Sequence, residues 1–151
     1  MKKIIVLSVL LMSSAAFGFG STEKWTSGWG QGVSEFIVLG KGQSSLYLSC
    51  EDAASRAATM IFTDIHGNQV SSDAGKQLEV KIDSNEKVNM GDSESHVGSE
   101  NFGFGWEQLR KGKKVIVSAN GAKAAVFTLQ GASGVIPEFG TNGCISGFAA
   151  P

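Results

Sequence analysis

The clearest periodic signal in the chain lies between Gln77 and Ser84. Leu78, Val80 and Ile82 fall on one side of a period-two pattern, and Glu79, Lys81 and Asp83 fall on the other. Strict alternation marks a half-buried strand with one face in water. Asp83-Ser84-Asn85 reads as a tight turn into Lys87-Val88-Asn89-Met90, so the two segments are predicted to form a hairpin. Further strands are predicted over 35–39, 45–50, 59–65, 114–118 and 122–130. Gly40-Lys41-Gly42-Gln43, His66-Gly67-Asn68-Gln69 and Asn120-Gly121 supply turns, the last being the strongest hairpin signal because both residues tolerate positive φ.

Helix is scarce. Residues 101–111 hold a turn or two around Trp106-Glu107-Gln108-Leu109-Arg110, ended by Gly112, and 133–139 hold another short turn limited by Pro137. Six or seven short strands with so little helix predict an all-β, mainly antiparallel domain. The expected architecture is a β-sandwich or flattened barrel with one or two short helices.

The N-terminus departs from this pattern. Lys2-Lys3, an apolar run over 4–12 and the small residues Ser13, Ser14, Ala15, Ala16 and Gly18 have the three-part layout of a secretory signal. The apolar run is well short of the roughly 20 residues that cross a bilayer. Residues 1–18 are therefore expected to be a cleaved signal peptide, 19–34 a polar N-terminal segment and 35–151 the β-sandwich domain. Without Lys2 and Lys3, 11 basic residues of the chain's 13 face 14 acidic ones, a net charge of about −3. Arg110, Lys111, Lys113 and Lys114 cluster around Gly112, where a turn would place them in water. That is too local for a phosphate backbone, so no nucleic-acid partner is expected.

Export to an oxidising compartment gives the two cysteines one expected fate. Cys50 and Cys144 are too far apart in sequence for a metal knuckle, and Cys50 shares strand parity with Leu46 and Leu48, which turns its sulfur inward. A structural disulfide is expected in preference to free thiols or a redox pair.

Candidate chemistry is sparse. There is no G-x-S-x-G, H-E-x-x-H or P-loop pattern, and His66 and His96 fall in predicted surface turns. Asp92 and Glu94 stand in the polar stretch 91–100, which lacks the alternating oxygen ligands of a calcium loop. No catalytic residue, metal or cofactor is implied. Trp25 and Trp29, and then Phe102, Phe104 and Trp106, are interleaved with glycines. Such aromatics either plug the open ends of a sandwich core or anchor a partner.

The layout over 44–144 resembles the VasI family of small exported proteins of type VI secretion. It is carried by Leu46-Tyr47-Leu48-Ser49-Cys50, by 107–117, by Ala125-Val126-Phe127-Thr128-Leu129-Gln130-Gly131 and by a closing Cys144. The resemblance implies a disulfide-bridged β-sandwich with an accessory or binding role. Periplasmic lysozyme inhibitors are also small exported β proteins, but the Ser-Gly-x-Tyr loop of one such family is absent, since Ser44-Ser45-Leu46 precede the only tyrosine, Tyr47. The expected function is a non-enzymatic periplasmic or secreted binding protein with a protein partner in the cell envelope. A muramidase inhibitor is the alternative and an envelope enzyme a more distant one. The acidic stretch with Asp92 and Glu94 and the aromatics Trp25, Trp29, Phe102, Phe104 and Trp106 are the candidate contact residues.

Overall fold

The computed structural model describes residues 19–151, so the predicted signal peptide lies outside the described residues. Two antiparallel sheets share one hydrophobic core and do not close into a barrel. The first runs in chain order: β1 (Thr26–Gly30), β2 (Val33–Leu39), β3 (Ser45–Glu51), β4 (Thr59–Thr63) and β5 (Gln69–Ser71). The second comprises β6 (Leu78–Ile82), β7 (Val88–Asn89), β8 (Lys114–Ala119) and β9 (Ala122–Thr128), in spatial order β7-β6-β8-β9.

Period-two alternation sets which face of each strand is dry. Leu46, Leu48 and Cys50 of β3 oppose Val38, Phe36 and Ser34 of β2, and Leu46 and Leu48 oppose Phe62 and Met60 of β4. Leu78, Val80 and Ile82 of β6 do the same for the second sheet, with Val117 and Val115 as partners of the last two. The sheets meet where the Phe62 ring stands edge-on to Phe127, 6.1 Å between centroids. Such pairs contribute about 0.5–1.5 kcal/mol beyond their buried area. Cys50 and Cys144 form the expected disulfide, closing a separation of 94 residues.

Three departures from the sequence reading have physical causes. The polar opening segment is part of the fold, because Thr26–Gly30 is the edge strand of the first sheet and Trp25 is buried. The expected helical turn or two is a 16-residue helix, α1 (His96–Lys111), capped by Ser95, whose Oγ accepts from Gly98 N–H. Its glycines hide it from propensity but allow close packing: a Cβ at Gly105 would lie 2.6 Å from Met90 Sδ, and one at Gly103 2.8 Å from the Phe139 ring. Gly112 does end the helix, yet with extended backbone; it is required because a Cβ there would overlap Ile82. A short helix, α2 (Ala132–Val135), and a 3-10 turn (Gly147–Ala149) follow.

The two sheets are also tied by a carboxylate that the sequence reading left inside a strand. Buried Asp64 accepts N–H bonds from His66 (2.8 Å), Asn68 (2.9 Å) and Lys123 (2.8 Å), and one from the Asn68 amide (3.0 Å). Lys123 belongs to β9, so one side chain joins the β4–β5 turn to the opposite sheet. The Asn68 amide and the Lys123 N–H hold the Asp64 carboxyl far below the usual carboxylate range.

Candidate functional site: a groove beside Trp29

The candidate aromatics separate cleanly. Trp25, Phe102 and Trp106 are buried, with the Trp25 indole donating to Thr128 O and the Trp106 indole to Pro137 O. Phe104 faces outward from α1 at 59 % exposure, and Trp29 is 68 % exposed. Three of the five are therefore plugs. Asp92 holds the Ser95 cap of α1: it accepts from Ser95 Oγ (2.5 Å) and from the N–H groups of Glu94 and Ser95, which holds its carboxyl below the ordinary range. Glu94 is exposed and rests against Gly147. The structure does not bring Asp92 and Glu94 to the groove that Trp29 lines.

The position of Trp29 is unusual for its parity. It opposes Ser34, which opposes Cys50, so its Cβ points toward the core face of the first sheet. Trp25 shares that parity four residues earlier and is covered, whereas the cover has ended by Trp29. What remains is an open groove of about 640 Å³ lined by Ser27, Trp29, Ser34, Phe36 and Asp52 on one side and Val135, Pro137 and Asn142 on the other.

Local chemistry fixes both banks. Gln31 (φ 54°) and Gly32 (φ 79°) make a two-residue turn with both positions left-handed, the hairpin geometry that matches strand twist. Asp52 N–H donates to Gly32 O at 2.9 Å, continuing the β2–β3 ladder and placing the Asp52 side chain on the inner face. Its carboxylate accepts from the Trp29 indole N–H at 2.6 Å and from the Ser34 hydroxyl at 3.0 Å. The disulfide sets the far bank: Gly143 lies so close to Glu51 O that no Cβ fits, and its neighbour Asn142 is held beside Asp52.

Two neutral donors satisfy the Asp52 oxygens, and among the described residues no cation pairs with it. The groove thus offers an indole face, a negative charge, two hydroxyls and an amide. Residues 23–136 match the protein family described as YfjT. The chain belongs to the YfjT family. The match spans Ser27, Trp29, Ser34, Asp52 and Val135, while Pro137, Asn142 and Cys144 lie beyond it. Nothing links the YfjT family to VasI or to type VI secretion, so the match does not carry that resemblance. No curated protein and no solved structure matches this YfjT-family chain.

Elsewhere the candidates are structural or dispersed. Arg110 does not stand in water with its basic neighbours: its Nε donates to Ile136 O (2.8 Å) and its guanidinium pairs with Glu107 (2.8 Å). Burial pushes the Glu107 carboxyl upward, but the Phe139 N–H and Arg110 outweigh it and hold it below its usual value. Tyr47 donates to Glu35 Oε1, and burial together with that bond pushes its phenol up to about 12. Neither histidine lines the groove; His96 packs edge-on against Phe148. Among the described residues no group of three or more potential ligands could hold a metal ion, and no described helix is long and apolar enough to cross a membrane.

Sequence reasoning found Trp29 but missed Ser27, Ser34, Asp52 and Asn142. One signal was present: Asp52 continues the inward parity of Leu46, Leu48 and Cys50, and a carboxylate on a core face asks for donors.

Proposed function

We propose that this protein is exported and acts without turnover, holding a protein partner of the cell envelope at the Trp29 groove. The signal-like N-terminus and the single disulfide support an oxidising compartment. The observation that carries the binding assignment is Trp29 itself. A tryptophan with core-facing parity stays exposed, and its indole is fixed by Asp52 before any partner arrives. Rigid aromatic anchors of this kind supply contact area at low entropic cost. The VasI-like layout adds one setting for such a partner, a type VI secretion apparatus.

The test is affinity recovery from an envelope extract with mature protein, Trp29→Ala and Phe104→Ala. Recovery should survive at Phe104 and disappear at Trp29; equal recovery by all three would remove the assignment. In parallel, the mature protein is expected to leave muramidase rates unchanged. A stoichiometric fall in rate would transfer the function to lysozyme inhibition.

A further inference from the structure

We propose that the partner is held by strand addition: an extended segment pairs with the free edge of β1 and sets a basic side chain over Asp52. This rests on the groove being the partner site and specifies how the groove is filled.

Hydrogen-bond parity identifies the edge. Gly32 O accepts from Asp52 and Gly40 N–H donates to Ser44 O, so even-numbered positions of β2 bond to β3. Odd-numbered positions of β2 therefore face β1, where Val33, Glu35 and Ile37 oppose Gly30, Gly28 and Thr26. The backbone groups of Trp25, Ser27 and Trp29 point the other way, to the free side of β1. Trp25 N–H is taken by Gln130 O at 2.9 Å. The chain after β9 thus begins to pair with β1, then turns off at Gly131 (φ 77°) into α2. Ser27 and Trp29 are left without backbone partners among the described residues. Their side chains line the groove, so an added strand would find donors, acceptors and pockets together.

Charge selects the occupant. Asp52 has only neutral partners, and the chain without its first 18 residues is acidic. A lysine or arginine in the incoming strand gains a charge-assisted bond that a carboxylate would be denied.

The probe is the synthetic peptide Thr-Val-Lys-Val-Thr-Val, titrated into ¹⁵N-labelled mature protein, with glutamate replacing lysine as control. The Ser27 and Trp29 amides should shift and exchange at least tenfold more slowly, and the glutamate peptide should bind at least tenfold more weakly. Ser27→Pro removes one outward N–H without touching the β1–β2 ladder, because proline is tolerated at an edge facing solvent. It should abolish peptide binding while the amide spectrum of β2 and β3 stays in place. Several results would overturn strand addition: no protection with either peptide at millimolar concentration, a Ser27→Pro variant that still binds, or concentration-dependent shifts of the same amides without peptide, which would mean self-pairing. A chitooligosaccharide that moves the Trp29 indole but not the Ser27 amide would do so too. Envelope recovery lost in Trp29→Ala yet kept in Ser27→Pro leaves the groove assignment standing and removes only the strand. Recovery kept in both removes the groove itself.

Discussion

Two stretches of the chain look alike as text and fold in opposite ways. Trp25 to Gly30 and Phe102 to Trp106 both interleave large aromatics with glycine. The first is β1 with the residue before it, and its two tryptophans share one parity, Trp25 covered and Trp29 bare. The second is the middle of α1, where Phe102 and Trp106 are one turn apart and both buried, and Phe104 points outward. Their glycines differ as well. Gly103 and Gly105 let a helix approach Phe139 and Met90, whereas nothing lies within 4 Å of where a side chain at Gly30 would begin. Glycine serves close packing throughout the helix, whereas in the strand only Gly28 is pressed, by the Phe19 ring, and Gly30 faces open space.

The contrast can be strained most by cutting the disulfide, which ties β3 to the segment that carries Asn142. Replacing Cys50 and Cys144 together with alanine should cost about 4–5 kcal/mol in urea unfolding, the chain-entropy value for a loop of this length. Acrylamide quenching of Trp29 fluorescence should rise in the same variant as the Asn142 bank loosens. Next in size, Trp106→Ala should lose about 3–5 kcal/mol and Trp29→Ala less than about 1 kcal/mol, both read from urea midpoints. Similar losses would erase the distinction between plug and anchor. Gly105→Ala forces a methyl against Met90 and should cost about 1–2 kcal/mol despite the better helix propensity of alanine; Gly30→Ala should stay within about 0.5 kcal/mol.

The smallest effect is the response to acid. Asp64, Asp92 and Glu107 all have carboxyls held below their unfolded values. Their stabilisation is complete above the unfolded pKa of about 4 and is lost as pH falls through the lower folded values. Unfolding free energy should therefore be flat from pH 7 to about 5 and decline below about 4. The amides around Asp64 and the α1 cap should exchange faster before those of β2 and β3 do. A decline centred near pH 6 would overturn this assignment to the three carboxyls.

Much of the fold was legible because period two is hard to disguise. The strands around Leu78, Leu46 and Val115 were readable from apolar alternation and turn residues, and the Cys50 parity pointed to the disulfide. β1 was missed because its residues other than Trp29 are small or polar and its turn uses Gln31, a residue type that rarely takes positive φ. The hairpin at Asn120-Gly121 formed, but only Gly121 takes positive φ, and a bulge between Val117 and Ala119 absorbs the difference. The length of α1 was hidden by Gly98, Gly103 and Gly105, each a local cost of about 1 kcal/mol that tertiary packing overrides. The candidate site was legible only as Trp29. Whether a core-parity tryptophan is covered depends on where α2 turns away, and no local pattern encodes that.

The bond between Trp25 and Gln130 has a consequence for the molecule in a crowded compartment. It closes one end of the β1 border, and the Gln31-Gly32 reversal closes the other, leaving the backbone of Ser27 and Trp29 open among the described residues. Fibrillar stacking requires about six or seven consecutive residues of exposed edge. A border this short can receive one guest but offers no template along which copies could pile up, so the reversal that leaves this border open also keeps it too short for stacking.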